Sequence, residues 1–180
     1  MLVLRRPAGS DLERLANEQR GAALTYEAVG ATLTGAAPAG YRRQSFDRPV
    51  GADFERARSL LAQWQPHVGA GIDHWADGDI SMGTTVALAA PLPVGFALAA
   101  CRIVAVVDEA DRFGFAYGTL PVHPESGEEL FMVERRSDGV WFQIVVFSRP
   151  HQLLARVASP IAHLLQARAT SKYLEAMDQS

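Results

Sequence analysis

Apolar residues recur at helical spacing in three stretches of the chain and at alternate positions through most of the rest. Between Ser10 and Arg20, Leu12 and Leu15 share a face, and Ser10 with Glu13 has capping-box spacing, so a short helix is predicted. Over 52–65 the stripe Phe54, Ala57, Leu61, Trp64 steps by three and four while Arg56 and Arg58 point elsewhere, which predicts a helix stopped by Pro66. A last stripe, Leu154, Val157, Ile161, Leu165, Ala169, Tyr173 and Met177, predicts a helical segment over 148–178. Ser148 and Pro150 suit its start. Pro160 either kinks it or, with Ser159 as cap, opens a second helix, and the part beyond Pro160 is long enough to lie across a whole sheet.

Between the helical stretches the period is two. Tyr41 to Val50 reads as extended, and strands are predicted near Met82–Ala90, Arg102–Asp108, Phe113–Thr119, Leu130–Arg136 and Val140–Phe147. Asp77-Gly78, Pro91-Leu92-Pro93, His123 to Gly127 and Ser137-Asp138-Gly139 separate them. A two-residue turn at Asp138-Gly139 would pair Glu134 with Gln143 and Met132 with Val145 on one face, and Val133 with Ile144 on the other. Both faces are largely apolar, so each needs a cover. The C-terminal helix supplies one; the N-terminal forty residues or a second subunit supplies the other. The Phe113–Thr119 strand also presents a row of small residues, Gly114, Ala116 and Gly118, which admits close approach by a helix or a ligand. The pattern predicts one α+β domain over 1–180. It divides into an N-terminal arm with a short helix (1–40), an antiparallel sheet (41–147) with an inserted helix at 52–65, and a C-terminal helical segment (148–178).

Composition changes the picture by exclusion. A chain of 180 residues with 48% hydrophobic residues can bury a core without staples, and its lone Cys101, in an apolar run, predicts an inert buried thiol. Net charge is −3 and Lys172 is the only lysine, which argues against nucleic acid as a partner. No stretch suits a signal peptide or a membrane span, so a cytoplasmic location is the default expectation.

Several segments carry a resemblance: Tyr26-Glu27-Ala28-Val29-Gly30-Ala31-Thr32, Gly40-Tyr41, Phe54 to Trp64, Tyr117-Gly118-Thr119-Leu120, His123-Pro124-Glu125-Ser126-Gly127-Glu128-Glu129, Val140-Trp141-Phe142 and Phe147-Ser148-Arg149-Pro150. Through them the chain, from about Tyr26 to Met177, resembles an uncharacterised domain-of-unknown-function family in the START-like (SRPBCC, plant-allergen-like) helix-grip superfamily. It departs from that family's pattern at Val122, where a glycine usually precedes the His. The resemblance implies a strongly curved sheet gripping a long C-terminal helix. It implies no reaction, because fold does not fix function.

Candidate chemistry is sparse. His123, Glu125, Glu128 and Glu129 are the densest ionisable cluster; they suit an acid–base pair, divalent-metal ligands, or a solvated loop whose glutamates cap backbone N–H groups. Arg102, Tyr117, Thr119 and Glu134 are polar groups on core-bounding strands, placed to orient a ligand's polar end or to pair with each other or with the early loops. Asp73, Asp77 and Asp79 lack the spacing and closing Glu of a calcium loop and predict a turn. His67, His151 and His163 are isolated, and no nucleophile motif is present. The ligand-binding set predicted is Arg102, Phe115, Tyr117, Thr119, His123, Glu134 and Trp141, with no cofactor and no metal. The expectation carried forward is a binding protein for a small, mostly apolar ligand between sheet and C-terminal helix. Two alternatives stand beside it: a homodimeric interaction protein without ligand, and an enzyme using His123 and the nearby glutamates on a small hydrophobic substrate.

Overall fold

A computed structural model of the chain describes residues 1–151 and 171–177. The chain opens with β1 (Leu2–Val3), α1 (Gly9–Gln19), α2 (Ala31–Thr34) and β2 (Arg42–Val50), followed by α3 (Phe54–Ala62) and α4 (Gln65–Gly69). Six strands follow: β3 (Asp73–Ala76), β4 (Thr85–Pro91), β5 (Phe96–Asp108), β6 (Arg112–Thr119), β7 (Glu125–Arg136) and β8 (Gly139–Pro150). All pair antiparallel in one sheet of order β2-β8-β7-β6-β5-β4-β3, with β1 on β5. Short turns join β4 through β8; a long link from β1 to β2 carries α1 and α2, and another, from β2 to β3, carries α3 and α4 and connects the two ends of that order.

Side-chain alternation sorts the strands onto two apolar faces. One, the gripped face, packs Phe113, Phe115, Tyr117, Phe131, Val133, Phe142 and Ile144 against Phe54, Ala57 and Leu61 of α3. On the outer face Leu12, Leu15 and Ala16 of α1 pack on Ala87, Ala89 and Leu98. The N-terminal residues are therefore a cover for the outer face, one of the two covers that alternation requires. Residues 171–176 are helical, and Tyr173, Ala176 and Met177 are buried, Tyr173 and Met177 among the side chains of the gripped face. Their approach depends on Gly69, where an added Cβ would stand 2.3 Å from the Cβ of Ala176. Most of the predicted C-terminal helical segment, with its Pro160 break, lies outside the described residues.

Several boundaries differ from the sequence expectation. The helix predicted over 52–65 is two helices. Asp53 caps α3 by accepting from the Arg56 amide at 2.9 Å, but the chain turns at Trp64, whose φ of 60° is left-handed. Pro66 sits in the first turn of α4, where its missing N–H costs nothing, so it starts a helix rather than stopping one. At α1 the cap is Asp11, accepting from the Ala8 amide at 3.0 Å, in place of a Ser10/Glu13 box. The β7–β8 turn is Ser137-Asp138, with Arg136 opposite Gly139 and Glu134 opposite Trp141. That is a slip of two residues from the predicted register, so every side chain stays on its predicted face. Strand β8 continues through Ser148 to Pro150, pairing Ser148 with Arg42 and Gly127; these residues end a strand instead of starting a helix. The four-residue β3 was not predicted, and β7 starts at Glu125 rather than Leu130. Among the described residues no helix is long and apolar enough to cross a membrane.

Candidate functional site

A chain of three polar side chains crosses the gripped face. Tyr117 of β6 donates its hydroxyl to Oε2 of Glu129 at 2.9 Å, and the same hydroxyl lies 3.1 Å from Nε2 of His67 on α4. Glu129 stands opposite Tyr117 in the β6–β7 register and is half-buried. Aromatic rings surround the His67 end of this polar chain. Trp64, Phe131 and Tyr173 stand 4.9, 5.0 and 5.1 Å from the His67 ring, and Trp64 also contacts Phe115 at 4.8 Å. Holding Trp64 left-handed costs about 1–2 kcal/mol, and this is the residue that turns α4 so that His67 faces Tyr117.

Burial sets the electrostatics. It pushes the Glu129 carboxyl up to about 7, against the hydrogen bond from Tyr117, which favours the charged form. It pushes His67 down to about 3, helped by nearby His74, so the imidazole is neutral. The Tyr117 and Tyr173 phenols and the Cys101 thiol are all raised by desolvation. With Glu129 ionised, the Tyr117 proton is committed to the carboxylate, so His67 must donate from Nε2 to the Tyr117 oxygen. That leaves Nδ1 as a buried acceptor with no hydrogen-bond partner among the described residues, at a cost of about 1–3 kcal/mol.

The structure brings only part of the predicted set to this place. Phe115 and Tyr117 are buried on the gripped face. Arg102, one step out of phase on β5, points to the outer face. There its guanidinium donates to the carbonyls of Gln19, Arg20 and Ala22, closing the C-terminal end of α1, so it serves the early loops. Glu134 and Trp141 are paired on the outer face near the β7–β8 turn. Glu134 ion-pairs with Arg136 at 2.7 Å, Arg136 covers the Trp141 ring at 4.8 Å, and Trp141 donates to Asp138. Thr119 accepts from the Gly127 amide at 2.9 Å and donates to its carbonyl at 3.1 Å, fastening the end of β6. His123 accepts the Glu125 amide on Nδ1 at 3.0 Å, and burial holds it down to about 4; it shapes the turn before β7. Nor do the four groups of the 123–129 cluster converge, because strand alternation sends Glu128 outward and Glu129 inward.

Glu128 explains the motif at Tyr26–Thr32. Its buried carboxylate accepts from the Tyr26 hydroxyl at 2.6 Å, the Gly30 amide at 2.7 Å, the Thr32 amide at 3.0 Å and the Thr32 hydroxyl. Tyr26 reaches it across Gly118, where a Cβ would stand 2.2 Å from the phenol oxygen. The row of small side chains on β6 thus admits a tyrosine at that position. Asp73 and Asp77, set aside as a calcium loop, pair with Arg6 at 2.6 Å and Arg20 at 3.0 Å. A surface groove of about 570 Å³ runs beside that Arg6–Asp73 pair, lined by Leu12, Val68, Ile72 and His74 among others.

The role of His67 and the strand placement of Glu129, already named in the 123–129 cluster, are what the expected boundaries conceal. His67 continues the α3 stripe one step of three beyond Trp64, but a helix ended at Pro66 excludes it. Glu129 belongs to an alternating strand once β7 is started at Glu125.

Known proteins share this architecture. The crystal structure of TTHA0849 from Thermus thermophilus matches with a TM-score of 0.59 at 10% identity, over 77% of this chain and 95% of that one. Major latex-like protein 151 from Panax ginseng matches with a TM-score of 0.51 at 15% identity, over 78% of this chain and 99% of that one. These likenesses show a helix-grip fold. In sequence, a UPF0548 protein of Deinococcus radiodurans is 33% identical over 96% of this chain and 95% of its own length, and a UPF0548 protein of Dictyostelium discoideum is 26% identical over 92% and 89%. The family described as a domain of unknown function, DUF1990, matches residues 25–176, and the chain belongs to that family.

Proposed function

We propose that this protein binds a small, mostly apolar molecule on the gripped face of its sheet, with the molecule's polar end at Glu129 and Tyr117. The observation that carries this reading is the Glu129–Tyr117–His67 chain itself. Replacing such a buried polar chain with well-packed apolar side chains is commonly neutral or stabilising, so its presence within a wall of rings calls for a role other than stability. The fold supports the reading by bringing the helical residues 171–176 over the same face, and Phe115, Phe131 and Tyr173 supply apolar surface beside the polar groups. The outer face, covered in part by α1 and Tyr26, offers no comparable group among the described residues, since Glu128 there is occupied by four donors.

The test is titration with Nile red, a neutral apolar dye, together with native mass spectrometry of the purified protein. Saturable uptake of one dye per chain is the expected result. Tyr117→Phe should weaken binding of a hydroxyl-bearing competitor such as octanol about tenfold, the equivalent of one hydrogen bond. No saturable uptake and no co-purified molecule would overturn the proposal.

A further inference from the structure

We infer that the molecule received at Glu129 is an amphipathic amine, an organic cation on an apolar body; this rests on the binding role proposed above and adds the charge of the head group. The first support is the company Glu129 keeps. Tyr117 faces it from β6, Cys101 from β5, Tyr173 from residues 171–176, His67 through Tyr117 from α4, and Glu125 from its own strand. At neutral pH these are neutral or acidic, and among the described residues no Lys or Arg forms an ion pair with Glu129. Among the described residues the one charged group that acts on this carboxylate is Glu125, a like charge, which suits a cationic ligand and opposes a carboxylate one.

The second support is the hydrogen-bond polarity of the chain. With Glu129 ionised, both its carboxylate and the orphaned Nδ1 of His67 are acceptors. An ammonium carries donors only, so it complements what the chain presents, whereas a carboxylate ligand carries acceptors only. The third is the ring wall. Trp64, Phe131 and Tyr173 lie around His67 with ring centroids 4.9–5.1 Å from its own, and Phe131 lies 5.4 Å from the Tyr117 ring. Their faces attract a cation by the ring quadrupole.

The inference fixes a pH dependence. An ammonium favours the ionised carboxylate, and burial keeps a proton on Glu129 below about pH 7. Amine affinity should therefore fall about tenfold for each pH unit below that point and level off above it, with a proton released on binding at lower pH.

Three probes of equal chain length test this by calorimetry on the wild-type chain: octylamine, octanol and octanoate, each in buffers of different ionisation heat on both sides of pH 7. The expected order is amine over alcohol over carboxylate, by about tenfold or more per step, with proton release below pH 7 for the amine alone. Glu129→Gln should abolish that proton release and the advantage of amine over alcohol. Octanoate binding as tightly as octylamine, or amine binding without proton release, overturns the inference. If octanol binds and octylamine binds no better, the charge assignment alone falls. If none of the three binds, the binding role falls and takes the inference with it.

Discussion

Glu129 and His67 titrate in opposite senses because burial acts on an acid and on a base. The folded chain holds the Glu129 proton up to about 7 where an ordinary glutamate releases it near 4.5. Its contribution to stability is present below pH 4.5 and is lost as the pH rises through about 7. Glu129→Gln should remove that loss and be more stable than the wild type above pH 7, on the order of 2–3 kcal/mol, as measured by urea unfolding at about pH 5 and about pH 8. Equal pH dependence in the two proteins would refute the burial account. His67 runs the other way: held down to about 3, it contributes stability above 6.5 that is lost as acid protonates the unfolded chain. One residue away from Glu129, Glu128 is a structural anchor. Glu128→Ala leaves the Tyr26 and Thr32 hydroxyls and the Gly30 and Thr32 amides without their acceptor. A cost of about 3–5 kcal/mol is expected, with amide exchange at Gly30 and Thr32 accelerated ahead of the strands. Uniform exchange across the chain would show that the 26–32 segment is held by something else.

At the scale of elements, alternation made the sheet legible and punctuation misled. Phe131, Val133, Phe142 and Ile144 share the gripped face as their period of two requires, and Leu130, Met132 and Val145 share the other. Placing the turn one residue late moved the register by two, an error invisible to the face pattern. Pro66 reads as a stop because proline removes an N–H, yet the first turn of a helix has no use for that N–H, and a left-handed Trp64 is a tertiary compromise that no local pattern announces. That misreading hid His67. Glu129 stands out in the 123–129 cluster, but starting β7 at its first run of apolar residues leaves it in a loop instead of on the gripped face, and β3, four half-buried residues including Asp73 and His74, has too little pattern to declare itself. The join between α4 and residues 171–176 gives a direct check. Gly69→Ala puts a methyl 2.3 Å from the Ala176 Cβ, which should cost about 1–3 kcal/mol. Loosened packing should appear as faster exchange at 173–177 while β5 to β8 keep their protection; unchanged protection at 173–177 would place that contact elsewhere.

For the whole molecule, the sheet serves two unlike layers. Its outer face is closed by the N-terminal residues through α1, Arg102 and the Tyr26–Glu128 clasp, which removes the need for a second subunit over that part of the sheet. Its gripped face carries the polar chain set among rings, and binding is proposed there. The groove beside Arg6 and His74 is the competing location. A heteronuclear NMR titration with octanol distinguishes the two most directly. Saturable shifts at His67, Tyr117, Glu129 and Tyr173, with Arg6, Leu12 and Asp73 unmoved, are the predicted result. Shifts confined to the groove, or no saturable shift at any residue, would contradict it.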